Sequence, residues 1–309
     1  MHKFVIKRLL MLIPVLLGVM FVVFVLGHFT PGDPARIMLG EAASPEAVAQ
    51  LRYELGLEDP FLVQYFRFIF NAIQGDFGTS YRPPHRPVFT EVFAAFPNTL
   101  QLAAMGVVLA IIIGIPLGII SAIKQYTPFD FGATFFGLLG VSIPNFWLGM
   151  MMIMFFSVSL QVLPATGFTY PLQWIMPTIA IGTGSAAIIM RMTRSSMLEC
   201  IRQDYIRTAR AKGQKESVVI FKHALRNALI PVATVAGLQF GFLLGGAILT
   251  ETIFAIPGLG RLLVSSIFNR DFAVVRGGVV LIAVSFTVVN LAVDMLYAFI
   301  DPRIRSQYK

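Results

Sequence analysis

Six apolar runs, each carrying at most one charge, constrain this sequence more than any other feature: about 9–29, 99–123, 131–160, 172–190, 230–250 and 278–300. A helix crosses the hydrocarbon core of a bilayer with about 20 such residues. The runs therefore predict an all-α polytopic membrane protein with six transmembrane helices. Charge agrees: only 13% of the 309 residues are Asp, Glu, Lys or Arg, against roughly 25% in soluble domains. The third run is longer than a crossing needs and contains Pro144, which predicts a kink or an early end there.

The distribution of Lys and Arg orients the spans. If the amino terminus is cytoplasmic, inner connections hold 16 of these residues and outer ones eight. Positive charge concentrates on the cytoplasmic side of short loops, so both termini are expected in the cytoplasm. This bias also accounts for the formal net charge of +8 without nucleic acid as a partner. The first run has 21 residues after Lys3, Lys7 and Arg8, too long for the apolar core of about 7–15 in a cleaved signal peptide. It is expected to remain as a helix.

Residues 30–98, polar and acidic with five Lys/Arg and eight Asp/Glu, are expected outside the membrane. They contain two helical stretches, Ser44–Leu55 capped by Ser44, and Pro60–Ile73. The chain thus divides into 1–98, a helix plus a long extracytoplasmic segment, and 99–309, a five-helix core carrying a cytoplasmic loop at 191–228.

That loop is the expected partner site. Between Arg191 and Arg226 lie nine of the 24 Lys and Arg residues, against three acids, Glu199, Asp204 and Glu216. Ser196 and Glu199 have the spacing of a capping box, and Gly213 stands where a helix would end. Ile201, Tyr205, Ala209 and Lys212 fall on one helical face. The small residues Ala209, Ala211 and Gly213 would let another protein approach the backbone. A second helical run is expected over Ser217–Leu229, before Pro231. No phosphate-cradling G-x-x-x-x-G-K-[ST] occurs, so the chain is not expected to hydrolyse ATP. No nucleophile elbow or H-E-x-x-H appears either. Four scattered histidines and the single Cys200 give no metal-ligand spacing.

Within and beside this loop, the stretches YIRTARAKG (205–213), HALRNALIP (223–231) and TETIFAIPGLGR (250–261) resemble the inner-membrane permeases of binding-protein-dependent ABC importers. The similarity is to the branch for dipeptides, oligopeptides, glutathione and nickel, and KRLL (7–10), PGDP (31–34) and GDFGTS (75–80) extend it through the amino-terminal part. It implies a type I ABC importer permease fold in a bacterial inner membrane. The family's E-A-A-x3-G-x9-I-x-L-P motif forms a coupling helix that docks on an ATPase. Here Arg207, Thr208 and Ala209 fall at E-A-A, Gly213 at the glycine, and His223, Leu225 and Arg226 at I, L and P. Only Ala209, Gly213 and Leu225 match the consensus. The docking residues implied are Tyr205, Ile206, Arg207, Thr208, Ala209, Arg210, Ala211, Lys212 and Gly213, with Lys222 and His223.

The same resemblance implies a second permease subunit, two ATPase subunits carrying ATP and magnesium, and an extracytoplasmic binding protein; this chain itself would bind no cofactor. Small peptides are the expected solute, with glutathione or nickel as alternatives. An ion-coupled secondary transporter would instead show deep charges and inverted halves, and the spans contain one carboxylate, Asp294. It is expected to form a structural ion pair with Arg191 or Arg194 or to snorkel, in preference to serving as a proton or cation site, whereas Glu251 should face water or a partner. Gly237, Gly241 and Gly245 recur every four residues as a packing face, within the subunit or against a partner. Asn145, Ser185 and Gln239 stand as candidates for a solute path, with helix–helix hydrogen bonding an equal reading.

Overall fold

The computed structural model describes residues 2–300, with side chains from 8 to 293 and at Met295. The expected roles of Lys3, Lys7, the Asp294 carboxylate, Arg303, Arg305 and Lys309 lie outside the described residues. Fourteen helices form among those described: α1 His2–Phe29, α2 Pro34–Leu39, α3 Pro45–Glu54, α4 Phe61–Ile73, α5 Val88–Ile123, α6 Pro128–Ser142, α7 Asn145–Met152, α8 Leu172–Ile201, α9 Asp204–Ala211, α10 Glu216–Val218, α11 Leu225–Gly246, α12 Ile248–Ile253, α13 Leu259–Phe268 and α14 Phe272–Ile300.

Among the described residues, five stretches are long and apolar enough to cross a membrane: Arg8–Phe29, Val88–Ile123, Leu172–Ile201, Glu216–Gly246 and Phe272–Val293. The sixth expected span is broken. The stretches Pro128–Ser142 and Asn145–Ser159 meet at 97°. Pro144 has no amide proton and pushes its predecessor out of the α region, and Ile143 is extended at φ −82°, ψ 121°. Beyond α7 the helix loosens into a π-helical turn, Ile153–Ser159.

Several boundaries differ from expectation. The helix α8 does not stop at 190 but continues to Ile201, so the first part of the basic segment is helix. Ser196 is therefore no cap; it is buried inside α8, its Oγ 3.6 Å from Met192 Sδ. Pro231 lies inside α11 rather than ahead of a span. Ser44 does cap α3, accepting from the Ala47 amide at 3.2 Å.

The chain forms two compact units. One comprises Leu100–Ile256 and the helix from Val288 onward, and is organised around α8. Here glycines admit close helix approach, which drives association in lipid where burial of apolar surface cannot. A methyl group on Gly114 would sit 2.7 Å from the Ala186 carbonyl, and one on Gly118 2.6 Å from that of Met190, so α5 lies backbone to backbone on α8. On another side, Gly140 of α6 faces the Thr183 carbonyl, with 3.3 Å left for a methyl. Arg194 of α8 holds the start of α6, its Nε and Nη2 each donating at 2.7 Å to the two oxygens of Asp130. Ser121 Oγ at the end of α5 also donates to Asp130, at 2.5 Å.

The other unit comprises Ile6–Thr99 and Pro257–Thr287. Val88, Val92, Leu259, Ala273 and Val274 form one buried cluster, and Met20, Phe24, Tyr65 and Val280 another. Polar ties close it: Asn98 Nδ2 donates to the Pro257 carbonyl at 2.9 Å, and Thr99 Oγ1 accepts from the Leu259 amide at 2.7 Å. Ser80 donates to the buried Asp271 carboxylate. Asp33 caps α2 through the Ala35 amide and pairs with Arg52 at 3.1 Å.

Candidate functional site

The short helix α9 stands on a hydrophobic base built from its own chain. Asp204 opens it with a negative charge beside the amino-terminal dipole. Its end is a Schellman motif: the Gly213 amide bonds the Arg210 carbonyl at 2.9 Å, and that of Gln214 bonds the Ala209 carbonyl at 3.4 Å. Gly213 has φ +75°, a left-handed conformation costly for any residue with a Cβ.

Ile206 and Ala209 are the buried residues of α9. They pack with Ile119, Ala122, Met197, Val219, Ile220, Ala224 and Ala228. Full burial of one isoleucine contributes about 1.5–3 kcal/mol, enough to fix a helix of two turns that would not form alone. The face expected from Ile201, Tyr205, Ala209 and Lys212 is thus corrected, because Tyr205 is 41% exposed while Ile206 is fully buried. Ala209 likewise faces the chain's own interior and offers no surface for a partner. Ala211 and Gly213, the other two small residues, are exposed.

Polar contacts complete the clamp. The Arg210 guanidinium forks onto Glu216 at 2.6 and 3.1 Å, a bond that raises its pKa further. The His223 ring meets Gln214 Oε1 at 2.7 Å, and Asn227 Nδ2 donates to the Tyr205 hydroxyl at 3.0 Å. Partial burial pushes the Tyr205 phenol up from its ordinary value. Lys222 and His223 occupy a π-helical turn, Val219–Ala224, that joins α10 to α11; such turns are frequent at functional sites. What remains outward is a compact cationic face, with Arg207, Thr208, Arg210, Ala211, Lys212 and Gly213 all exposed.

The candidates for a solute path separate. Ser185 Oγ donates to Gln239 Oε1 at 3.0 Å, a hydrogen bond between α8 and α11. Asn145 sits at the start of α7, just after the 97° bend. Of the spaced glycines in α11, Gly237 lies against Val293 of α14, Gly241 is buried, and a methyl on Gly245 would meet nothing. Glu251 is fully buried, not solvent-facing as expected. Arg194 pairs with the Asp130 carboxylate at 2.7 Å. Nothing in the local sequence signals that pair, whose members are 64 residues apart.

An all-α protein of long apolar helices packed closely through glycines is the class this geometry defines. The chain belongs to the family of binding-protein-dependent transport system inner membrane components, whose model matches residues 114–306. The amino-terminal model of the same family matches 1–103. It is 46% identical to the dipeptide transport system permease protein DppB of Alkalihalophilus pseudofirmus, across 99% of this chain and 100% of that one. It is also 46% identical to the glutathione transport system permease protein GsiC of Pectobacterium atrosepticum, across 99% of each. In fold it resembles the MetNI methionine ABC transporter (TM-score 0.56, 19% identity, 68% of this chain and 96% of that one). It is thus a multi-pass bacterial inner-membrane protein with an ABC importer permease fold.

Proposed function

We propose that this chain is the translocating subunit of an ATP-driven importer of small peptides. The single observation that carries the coupling role is α9: a cationic helix of two turns, exposed on one face and seated on buried Ile206 and Ala209 on the other. Both chain ends and this loop would lie in the cytoplasm, as the Lys and Arg bias requires. A separate ATPase subunit would receive the exposed face of α9. Because the base of α9 joins the ends of α5, α8 and α11, closure of an ATPase dimer would move those three helices together. A second permease subunit would complete the path, and an extracytoplasmic binding protein would deliver solute.

The solute class rests on relatives that are named for dipeptide and for glutathione transport at equal identity. Glutathione is itself a tripeptide, so a short peptide backbone is the common chemistry. Co-expression with the neighbouring genes, followed by purification through this chain, should recover an ATPase subunit; its absence would refute the importer reading. Ala211→Trp adds bulk on the exposed face without touching the base, and should abolish ATPase association while the chain stays folded. Unchanged association and peptide uptake would refute docking through α9.

A further inference from the structure

The polar segment after α1 contains a helix that does not behave as a water-soluble one. Around α4 the residues sort into three faces. Phe61, Tyr65, Phe68, Ile69 and Ala72 turn toward α1 and its neighbours. Gln64, Arg67 and Asn71 line a cleft of about 870 Å³. Leu62, Val63, Phe66, Phe70 and Ile73 are 60, 46, 64, 66 and 78% exposed. Five large apolar side chains in a row on one short helix are far more than scattered surface residues require.

Where α4 touches α1 says what covers them. Phe61 stacks edge-on with Phe21, Phe24 and His28 at ring separations of 6.4, 5.3 and 5.0 Å. Tyr65 meets Phe21 and Phe24 at 5.3 and 5.5 Å, and its hydroxyl donates to the Leu17 carbonyl at 3.0 Å. The contacts run along α1 from Phe29 inward to Leu17, roughly 18 Å of helix at 1.5 Å per residue. The span Arg8–Phe29 is roughly 33 Å long by the same rise, about one bilayer core. A helix resting on its Leu17–Phe29 half therefore lies within the hydrocarbon boundary, not above it. On that half of α1, Val22, Leu26 and Phe29 are themselves exposed apolar residues.

The backbone and charges of α4 suit that position. Pro60 at its start has no amide proton to leave unpaired, and its carbonyl accepts from Val63 and Gln64 at 2.9 and 3.2 Å. At the other end the amides of Gln74, Gly75 and Asp76 return to Asn71 and Ala72 carbonyls. Its carboxyl end is thus closed on itself, as lipid demands of backbone groups. The one charge, Arg67, is paired with Asp59 and turned to the cleft. We propose that α4 is embedded in the leaflet that contains Leu17–Phe29, with Leu62, Val63, Phe66, Phe70 and Ile73 against acyl chains and Gln64, Arg67 and Asn71 facing the aqueous cleft. Its partner is lipid, and this holds whichever solute the protein carries.

The test uses the full-length chain, co-expressed with its neighbouring genes and reconstituted in phospholipid vesicles. In a Cys200→Ala background, single cysteines at 62, 66, 70 and 73, and at 64 and 71 as controls, carry a nitroxide label. Collision with oxygen, which concentrates in lipid, is compared with collision with a water-soluble nickel chelate. Labels at 62, 66, 70 and 73 should favour oxygen several-fold, while those at 64 and 71 should favour the chelate. Chelate access at all positions would overturn the proposal by making α4 aqueous. Protection from both reagents at 62, 66, 70 and 73 would overturn it by assigning that face to a protein partner. Four positions are scanned so that one poorly folded variant does not decide the result.

Discussion

The helices α4 and α9 are both short, both outside the main spans, and built on opposite plans. In α9 the hidden side is small, Ile206 and Ala209, and the shown side is cationic. In α4 the hidden side is aromatic, and the shown side is a row of large apolar residues beginning at Leu62. A helix that buries little and displays charge is suited to a wet, specific protein surface. One that displays Phe66 and Phe70 is suited to hydrocarbon, where shape matters less than the absence of unpaired polar groups. Both are held by a hydroxyl contact as well as by packing, Tyr205 to Asn227 and Tyr65 to the Leu17 carbonyl. The exposed face, not the anchor, tells the two apart.

The largest effect falls on neither helix but on the tie between α8 and the start of α6. Arg194→Ala strands the buried Asp130 carboxylate and should cost about 3–5 kcal/mol, read as lost folded protein in detergent. The double variant with Asp130→Asn should recover most of that loss, since neither charge is then unpaired. Next, Ala209→Trp overpacks the base of α9 and should lower stability by about 1–3 kcal/mol. Ala211→Trp, on the exposed face, should stay within about 0.5 kcal/mol of the parent and lose only ATPase association; equal melting losses at 209 and 211 would erase the distinction between base and face. Gly213→Ala forces a Cβ into a left-handed conformation and should cost about 1–2 kcal/mol, with thermal melting as the readout and Gly213→Asn less affected. The smallest effect falls on α4: Tyr65→Phe removes only the bond to Leu17 and should cost about 1 kcal/mol, detected as raised mobility of a label at residue 66.

Much of the architecture is readable because it follows from short-range chemistry. The apolar runs mark the spans, Pro144 marks the break, Ser44 marks the start of α3, and Gly213 marks the end of α9. Each depends on a few adjacent residues and on backbone geometry that no distant contact overrides. The phase of α9 was not readable in the same way. Its eight residues offer two plausible faces, and the choice of Ile206 over Tyr205 was made by the pocket that α5, α8 and α11 build beneath it. The faces of α4 were similarly hidden inside a segment whose overall acidity suggested water, although its run of five aromatics in thirteen residues carried the signal. Likewise the partner of Arg194, Asp130, lies in a short connection between two apolar runs, 64 residues away.

Taken alone, the sequence determined that this protein lives in a membrane, where its long apolar runs lie, where one of them breaks, and where a cationic helix ends. Hydrophobic length, proline geometry and glycine chirality act within a few residues, so the linear order contains them. Tertiary structure alone decided which residues are hidden: Ile206 and not Tyr205, Glu251 and not a solvent-facing acid, Asp130 beside Arg194. It also decided that α4 lies along the Leu17–Phe29 half of α1. Burial is a property of neighbours brought from far along the chain, and only the packed helices specify who those neighbours are.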